Sequence, residues 1–155
     1  MPITLRPMPA ERIGAWLEAS RASYAADRQR AGEPAEVARS TAERSMATYF
    51  PGGEPLAGHF LFEALSEDEP VGALWLGPHP QRPDGRSWWV YDIEIAPEHR
   101  RRGHGAATMR AAEHEVRSRG GVELALNVFG FNTGAIALYE ELGFAVTSQH
   151  MAKAL

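Results

Sequence analysis

No cysteine occurs in the 155 residues, which removes disulfides, thiolate metal sites and a cysteine nucleophile together. No apolar run reaches the length of a signal-peptide core or a membrane span, and the N-terminal stretch MPITLRPMPAERIGAWLEAS is broken by prolines and charges. A soluble cytoplasmic protein without a membrane partner is the expectation. An excess of positive charge is also missing: 20 acidic residues stand against 16 Lys and Arg, for a net charge of −4. That balance argues against general nucleic-acid affinity and makes the cluster Arg100, Arg101, Arg102 a local feature. Six histidines are present, but His99, His104 and His114 lack ligand spacing, and His114-Glu115 has no second histidine one turn away. No metal is expected; His104 falls in a turn and the other histidines are assigned to the surface. Internal repeats and low-complexity tracts are absent, and the length is that of one domain, 1–155, able to bury a single core.

What the chain does contain is an alternation of strand and helix signals. Residues 3–6 form a short first strand ended by Pro7 and Pro9. Residues 11–31 carry Ile13, Trp16, Leu17, Ala19 or Ser20, and Tyr24 near helical spacing. Gly32 is a C-cap, and Pro34 starts a second helix to Tyr49, broken by Pro51-Gly52-Gly53. Trp16, Tyr24, Tyr49 and Phe50 read mainly as core. Apolar runs 59–66 and 71–76 flank a polar turn and predict an antiparallel hairpin. Residues 77–87, rich in Pro and Gly, predict an exposed, mobile loop. A strand over 88–96, an amphipathic helix over 103–119, a strand over 122–128, a helix over 132–142 closed by Gly143, and a final strand over 145–153 complete a mixed α/β sheet.

The organising stretch is 91–106, YDIEIAPEHRRRGHGA. A strand stops at Pro97 and passes through three arginines into a Gly-x-Gly turn that opens a helix. The first turn of a helix leaves N–H groups unpaired and carries roughly half a positive charge, so an anion fits there. Gly103 and Gly105 lack the Cβ that would hold amides away from phosphate oxygens, and Arg100, Arg101 and Arg102 bring guanidinium forks. A diphosphate is the predicted ligand. A dinucleotide fingerprint would need glycine where Thr108 stands, and the Gly-Lys-Ser/Thr of a Walker loop is absent.

HRRRGHGA resembles the Arg/Gln-x-x-Gly-x-Gly/Ala signature of the GCN5-related N-acetyltransferases, the GNAT superfamily. NTGAIALYEELGF, residues 132–144, is similar to that superfamily's second recurring block. The resemblance is dense over 71–155 and topological before that. It implies the acyl-CoA N-acyltransferase fold, a mixed and mostly antiparallel central sheet with flanking helices and a splayed parallel strand pair. It also implies acetyl-CoA as cosubstrate and direct acetyl transfer to a primary amine of a small molecule or peptide, without an acyl-enzyme. On this resemblance the pyrophosphate sits on the amides of Arg102, Gly103, His104, Gly105 and Ala106. The pantetheine runs along Ile93, Glu94 and Ile95 like an added strand, and Asn132 and Ala135 contact the CoA arm. Asn132 is equally placed to be an N-cap.

Transfer needs an oxyanion donor, for which a strand amide near Ile95 serves, a base for the ammonium and an acid for the departing thiolate. Tyr139, at the tyrosine position of the second block, is the candidate acid, or only a hydrogen-bonding partner of the sulfur. Asp92 and Glu94, two apart on one strand, share a face and are the candidate bases, or partners of a helix arginine; a base acting through water is the third option. Asn127 stands where relatives that acetylate protein N-termini often carry glutamate, which puts that substrate in doubt. Glu33, Glu36 and Glu43 on the acceptor-side helices would suit a cationic amine. A non-catalytic acyl-CoA-binding or sensing domain is the alternative; homodimers are common among look-alikes, and nothing in the sequence decides that state.

Overall fold

The computed structural model describes residues 2–155. Five strands, β1 (Thr4–Pro7), β2 (Phe60–Ser66), β3 (Glu69–Pro78), β4 (Ser87–Ile95) and β5 (Glu123–Leu126), form one sheet in the order β1-β2-β3-β4-β5. The first three neighbouring pairs are antiparallel, and β4 with β5 is parallel. Helices α1 (Ala10–Arg30) and α2 (Ala35–Tyr49) form an antiparallel pair on one face, while α3 (His104–Ser118) packs on the other and α4 (Thr133–Glu141) follows β5.

Strand alternation explains the two layers of core. On β2, Leu61 belongs to the cluster under α1 and α2, and Phe62 to the cluster under α3. On β3, Leu74 and Leu76 point to α3, and Trp75 between them points to the helical pair. Leu74 and Leu76 are completely buried, each contributing about 1.5–3 kcal/mol relative to an exposed side chain. Strands covered on both faces read as continuous apolar runs, which is why VGALWL shows no alternation.

Local chemistry sets the boundaries. Pro9 and Pro34 precede α1 and α2, supplying helix-compatible φ where no N–H is needed. Glu67 and Asp68 both have positive φ, 50° and 68°, and close the β2–β3 hairpin as a two-residue turn. The segment between β3 and β4 is held by side chains: Asp84 Oδ1 accepts from the N–H groups of Arg86 and Ser87, and His79 Nδ1 accepts from that of Gln81.

Two expectations fail here. No strand forms over 145–153; residues 145–155 are exposed and unpaired, so β5 is the sheet edge. Strand propensity in AVTSQHMAK is not matched by a buried face to hold it. The histidines are not all at the surface either: His59, His79 and His104 are buried. His59 Nδ1 accepts a 3.0 Å hydrogen bond from the indole N–H of Trp75, and burial lowers its pKa.

Candidate functional site

The site begins at an irregularity in β4. Trp75 pairs with Asp92 but the next residue, Leu76, pairs with Val90, so Tyr91 is the extra residue of a bulge. Trp88 and Val90 point to α3 before it. After it the parity is reversed: Ile93 points to α3, and Asp92 turns to the helical pair. Tyr91 and Asp92 thus share a face although they are consecutive. Tyr91 stacks on Trp75 at 4.7 Å within a cluster that includes Trp16, Tyr49, Phe50 and His59. Of the four aromatics read mainly as core, Trp16, Tyr49 and Phe50 belong to this cluster, while the Tyr24 hydroxyl accepts from Arg28 outside it.

Beyond the bulge β4 parts from β5. The parallel pairing spans only Ser87, Trp88, Trp89 and Val90. The Ala96 N–H donates to Val71 O, which makes Ala96, Glu94 and Asp92 the residues bonded to β3 and leaves the N–H and C=O of Ile93 and Ile95 facing the gap. An unpaired edge of this kind accepts an extended ligand as an added strand. In this structure the Ile95 carbonyl accepts from Arg100 Nε at 2.8 Å, and the Arg100 guanidinium lies 3.7 Å from Glu94.

The edge runs into the arginine turn. Arg101 and Gly103 have left-handed φ of 62° and 82°, and Gly103 is the N-cap of α3 with no side chain bonded to the helix amides. Arg100 is extended and Arg101 and Gly103 are left-handed, so the chain turns tightly into α3, whose first-turn N–H groups at His104, Gly105 and Ala106 have no partner within the helix. Arg101 and Arg102 are exposed beside it. A Cβ on Gly105 would lie 3.3 Å from the Leu138 side chain, so this glycine also eases the approach of α4 to α3. His104 is buried beneath the turn, its ring 6.3 Å from that of His99.

The carboxylates face the other wall. Asp92 Oδ2 accepts from the hydroxyl of the buried Ser20 on α1 at 3.3 Å. Burial first, then the nearby charge of Glu94, raises its pKa to about 6, with Asp27 adding in the same direction and the Ser20 hydroxyl and Ile93 N–H opposing. Glu94 is exposed. Tyr139, on α4, packs edge-on against Phe144. Burial and, secondarily, the charge of Asp92 raise its pKa, so the phenol stays protonated. Asn132 caps α4, its Oδ1 accepting from the Ala135 N–H at 3.3 Å.

An open cleft of about 520 Å³ is lined by Ile93, Glu94, Ile95 and Arg100 on one side and Phe131, Asn132, Thr133 and Gly134 on the other; Asp92, Tyr139, Ala135 and residues 101–106 are not among its lining residues. Asp27 and Arg30, from the end of α1, close its third side, with the Arg30 guanidinium 4.2 Å from the Phe131 ring centre. Sequence reasoning did not find Ser20, Asp27, Arg30 or Phe131 as site residues. Ser20 left a trace: a hydroxyl on the apolar stripe of α1 needs a partner. The carboxylates assigned to the acceptor side do not line this cleft. Glu33 is bound by Arg28, Glu36 lies 3.6 Å from Arg39, and Glu43 is on the exposed face of α2. No group of three or more potential metal ligands occurs among the described residues.

Known proteins are similar to this chain in sequence and fold. Over 157 aligned positions the chain is 31% identical to the uncharacterized N-acetyltransferase YycN of Bacillus subtilis (strain 168), spanning 100% of both. It is 27% identical to the uncharacterized N-acetyltransferase YdgE of the same organism, across 100% of this chain and 99% of that one. The crystal structure of YycN superposes with a TM-score of 0.90 at 30% identity, covering 99% of this chain and 98% of that one. The AAC(6')-Iy structure, solved with the bisubstrate analog CoA-S-monomethyl-acetylneamine, shares the fold with a TM-score of 0.62 at 16% identity over 100% and 99% of the two chains. The model of the Acetyltransferase (GNAT) family matches residues 16–144, and the chain belongs to that family.

Proposed function

We propose that the protein transfers an acetyl group from acetyl-CoA directly to a primary amine of a small molecule or peptide. The observation that carries this reading is the continuity of two backbone surfaces that no neighbouring strand or helix turn pairs: the Ile93 and Ile95 edge of β4 and the arginine turn at the start of α3. One suits an amide-bearing pantetheine arm and the other a pyrophosphate, in the order in which CoA carries them. Arg100 exchanges its bond to the Ile95 carbonyl for the phosphates, beside Arg101 and Arg102, and Asn132 and Ala135 flank the arm from α4.

The acceptor arrives as an ammonium ion and must lose a proton to become a nucleophile. Asp92, half-buried and with a pKa near 6, is ionised at neutral pH and accepts that proton, directly or through water. Glu94 and Asp27 beside it make this wall favourable to a cation. The amine nitrogen then bonds to the thioester carbon, an N–H of the β4 edge stabilises the oxyanion by about 3 kcal/mol, and the C–S bond breaks. Tyr139 hydrogen-bonds the departing sulfur and supplies the proton that makes the thiol, and the phenolate it leaves is reprotonated by the second proton that the nitrogen sheds on becoming an amide. Its raised pKa makes it a reliable donor and a reluctant acid, so donation proceeds as negative charge builds on sulfur.

Calorimetric titration with acetyl-CoA, CoA and ATP at moderate salt tests the cofactor. Micromolar binding of acetyl-CoA with ATP silent is the expected result, and amine-dependent thiol release then tests transfer. Failure of both CoA forms to bind would overturn the reading. Binding without thiol release across amine classes would favour an acyl-CoA-binding role instead.

A further inference from the structure

Ser20 lies in the middle of α1, a helix that carries none of the family's motif residues, and it is 7% exposed. Its neighbours on that stripe, Ile13, Trp16 and Leu17, pack into the core under the helical pair. A buried hydroxyl on such a stripe costs stability unless it is bonded, and its partner is Asp92 Oδ2 on β4, 72 positions away in the chain. We propose that Ser20 is a positioning residue for Asp92: its hydroxyl fixes the carboxylate's orientation, so that the docking of α1 onto the sheet sets the aim of the base. The inference rests on the acetyl-transfer reading for its catalytic meaning, while the Ser20–Asp92 bond stands independently of it.

The surroundings of Asp92 make that bond consequential. Glu94 on the same strand and Asp27 on α1 repel its negative charge, Trp75 lies across from it on β3, and Tyr139 faces it from α4. No Lys, Arg or His is bonded to it among the described residues, so the Ser20 hydroxyl and the Ile93 N–H are the groups that favour the ionised form. The bulge at Tyr91 is what turns Asp92 toward α1.

The test compares Ser20→Ala, which removes the hydroxyl, with Ser20→Thr, which keeps it. Carbon-13 NMR of Asp-labelled protein reads the Asp92 carboxyl directly, its resonance assigned by its loss in Asp92→Asn. We expect the Asp92 midpoint in Ser20→Ala to move up by about one pH unit and to return toward the wild-type value in Ser20→Thr. An unmoved midpoint would overturn the proposal without touching acetyl transfer. In thiol-release assays with acetyl-CoA and a panel of spermidine, neamine and tyramine, the acid limb of kcat/KM should move with it. Ser20→Ala would then be about fivefold slower at pH 6 and close to wild type at pH 8.5. Acetyl-CoA affinity should stay unchanged. A uniform loss at every pH, not relieved in Ser20→Thr, would make Ser20 structural only. A midpoint shifted in Ser20→Ala, together with a wild-type protein that binds acetyl-CoA but releases no thiol with any of the three amines, would refute the catalytic role and leave the hydrogen bond.

Discussion

Replacing Asp92 with asparagine should make the protein more stable and less active. The raised pKa means that the folded chain holds a proton on Asp92 between about pH 4 and 6, where the unfolded chain has already released it. Stability therefore falls as pH rises through that window, and the full cost is in force above about pH 6. From the ordinary 3.8 to about 6 is roughly two pH units at about 1.4 kcal/mol each, an upper bound near 3 kcal/mol. Asparagine removes the charge and retains an oxygen for the Ser20 hydroxyl. At pH 7.5 the variant should gain about 1–3 kcal/mol, or roughly 3–8 °C in Tm for a chain of this size. Urea unfolding of both proteins from pH 4 to 8 checks this, with the gap closing toward pH 4. His59 and the other titrating groups that do not interact with Asp92 cancel in the difference. Acetyl transfer should be abolished in the same variant. A gap that is absent, reversed or independent of pH would refute the burial argument; retained activity would remove Asp92 as the base.

Tyr139→Phe should lower kcat by about tenfold to a hundredfold with little change in acetyl-CoA affinity measured by calorimetry; an unchanged rate removes the phenol from the reaction. Gly105→Asp should fold, because a carboxylate in the first turn of α3 favours the helix, yet acetyl-CoA affinity should fall at least tenfold as that charge meets pyrophosphate. Pairing it with Leu138→Ala, which clears the 3.3 Å contact, separates crowding from charge: affinity that returns would overturn the electrostatic reason. His59 is buried, accepts from Trp75 and has a lowered pKa, so its contribution to stability is present above about pH 6.5 and is lost as pH falls through its folded value. His59→Gln should flatten that acidic decline in urea midpoint between pH 7 and 5, and an unaltered slope would mean that His59 is not its source.

The helices and strands were legible wherever a segment answers mainly to its own pattern. Ile13, Trp16 and Leu17 announce α1, Pro34 the start of α2, Gly103 the opening of α3, and Asn132 the cap of α4. The segment 145–153 was misread because a strand needs a partner, and no partner is written into its own residues. Gly105 meets a second demand that its own neighbourhood does not announce: a Cβ there would lie 3.3 Å from Leu138 on α4, more than thirty residues later.

The sequence by itself determined the arginine turn that opens α3 and the family, because the conformation of residues 100–105 and their charge are specified by neighbouring residues. It also put Asp92 and Glu94 on one face of a strand. Which face that is, only the tertiary structure decided. Strict alternation would group Asp92 with Trp88 and Val90 under α3; the bulge at Tyr91 reverses the parity and delivers Asp92 to Ser20 and the helical pair. A bulge exists in the register between two strands, so its placement is settled by how β3 and β4 pack together and not by the residues of either strand alone.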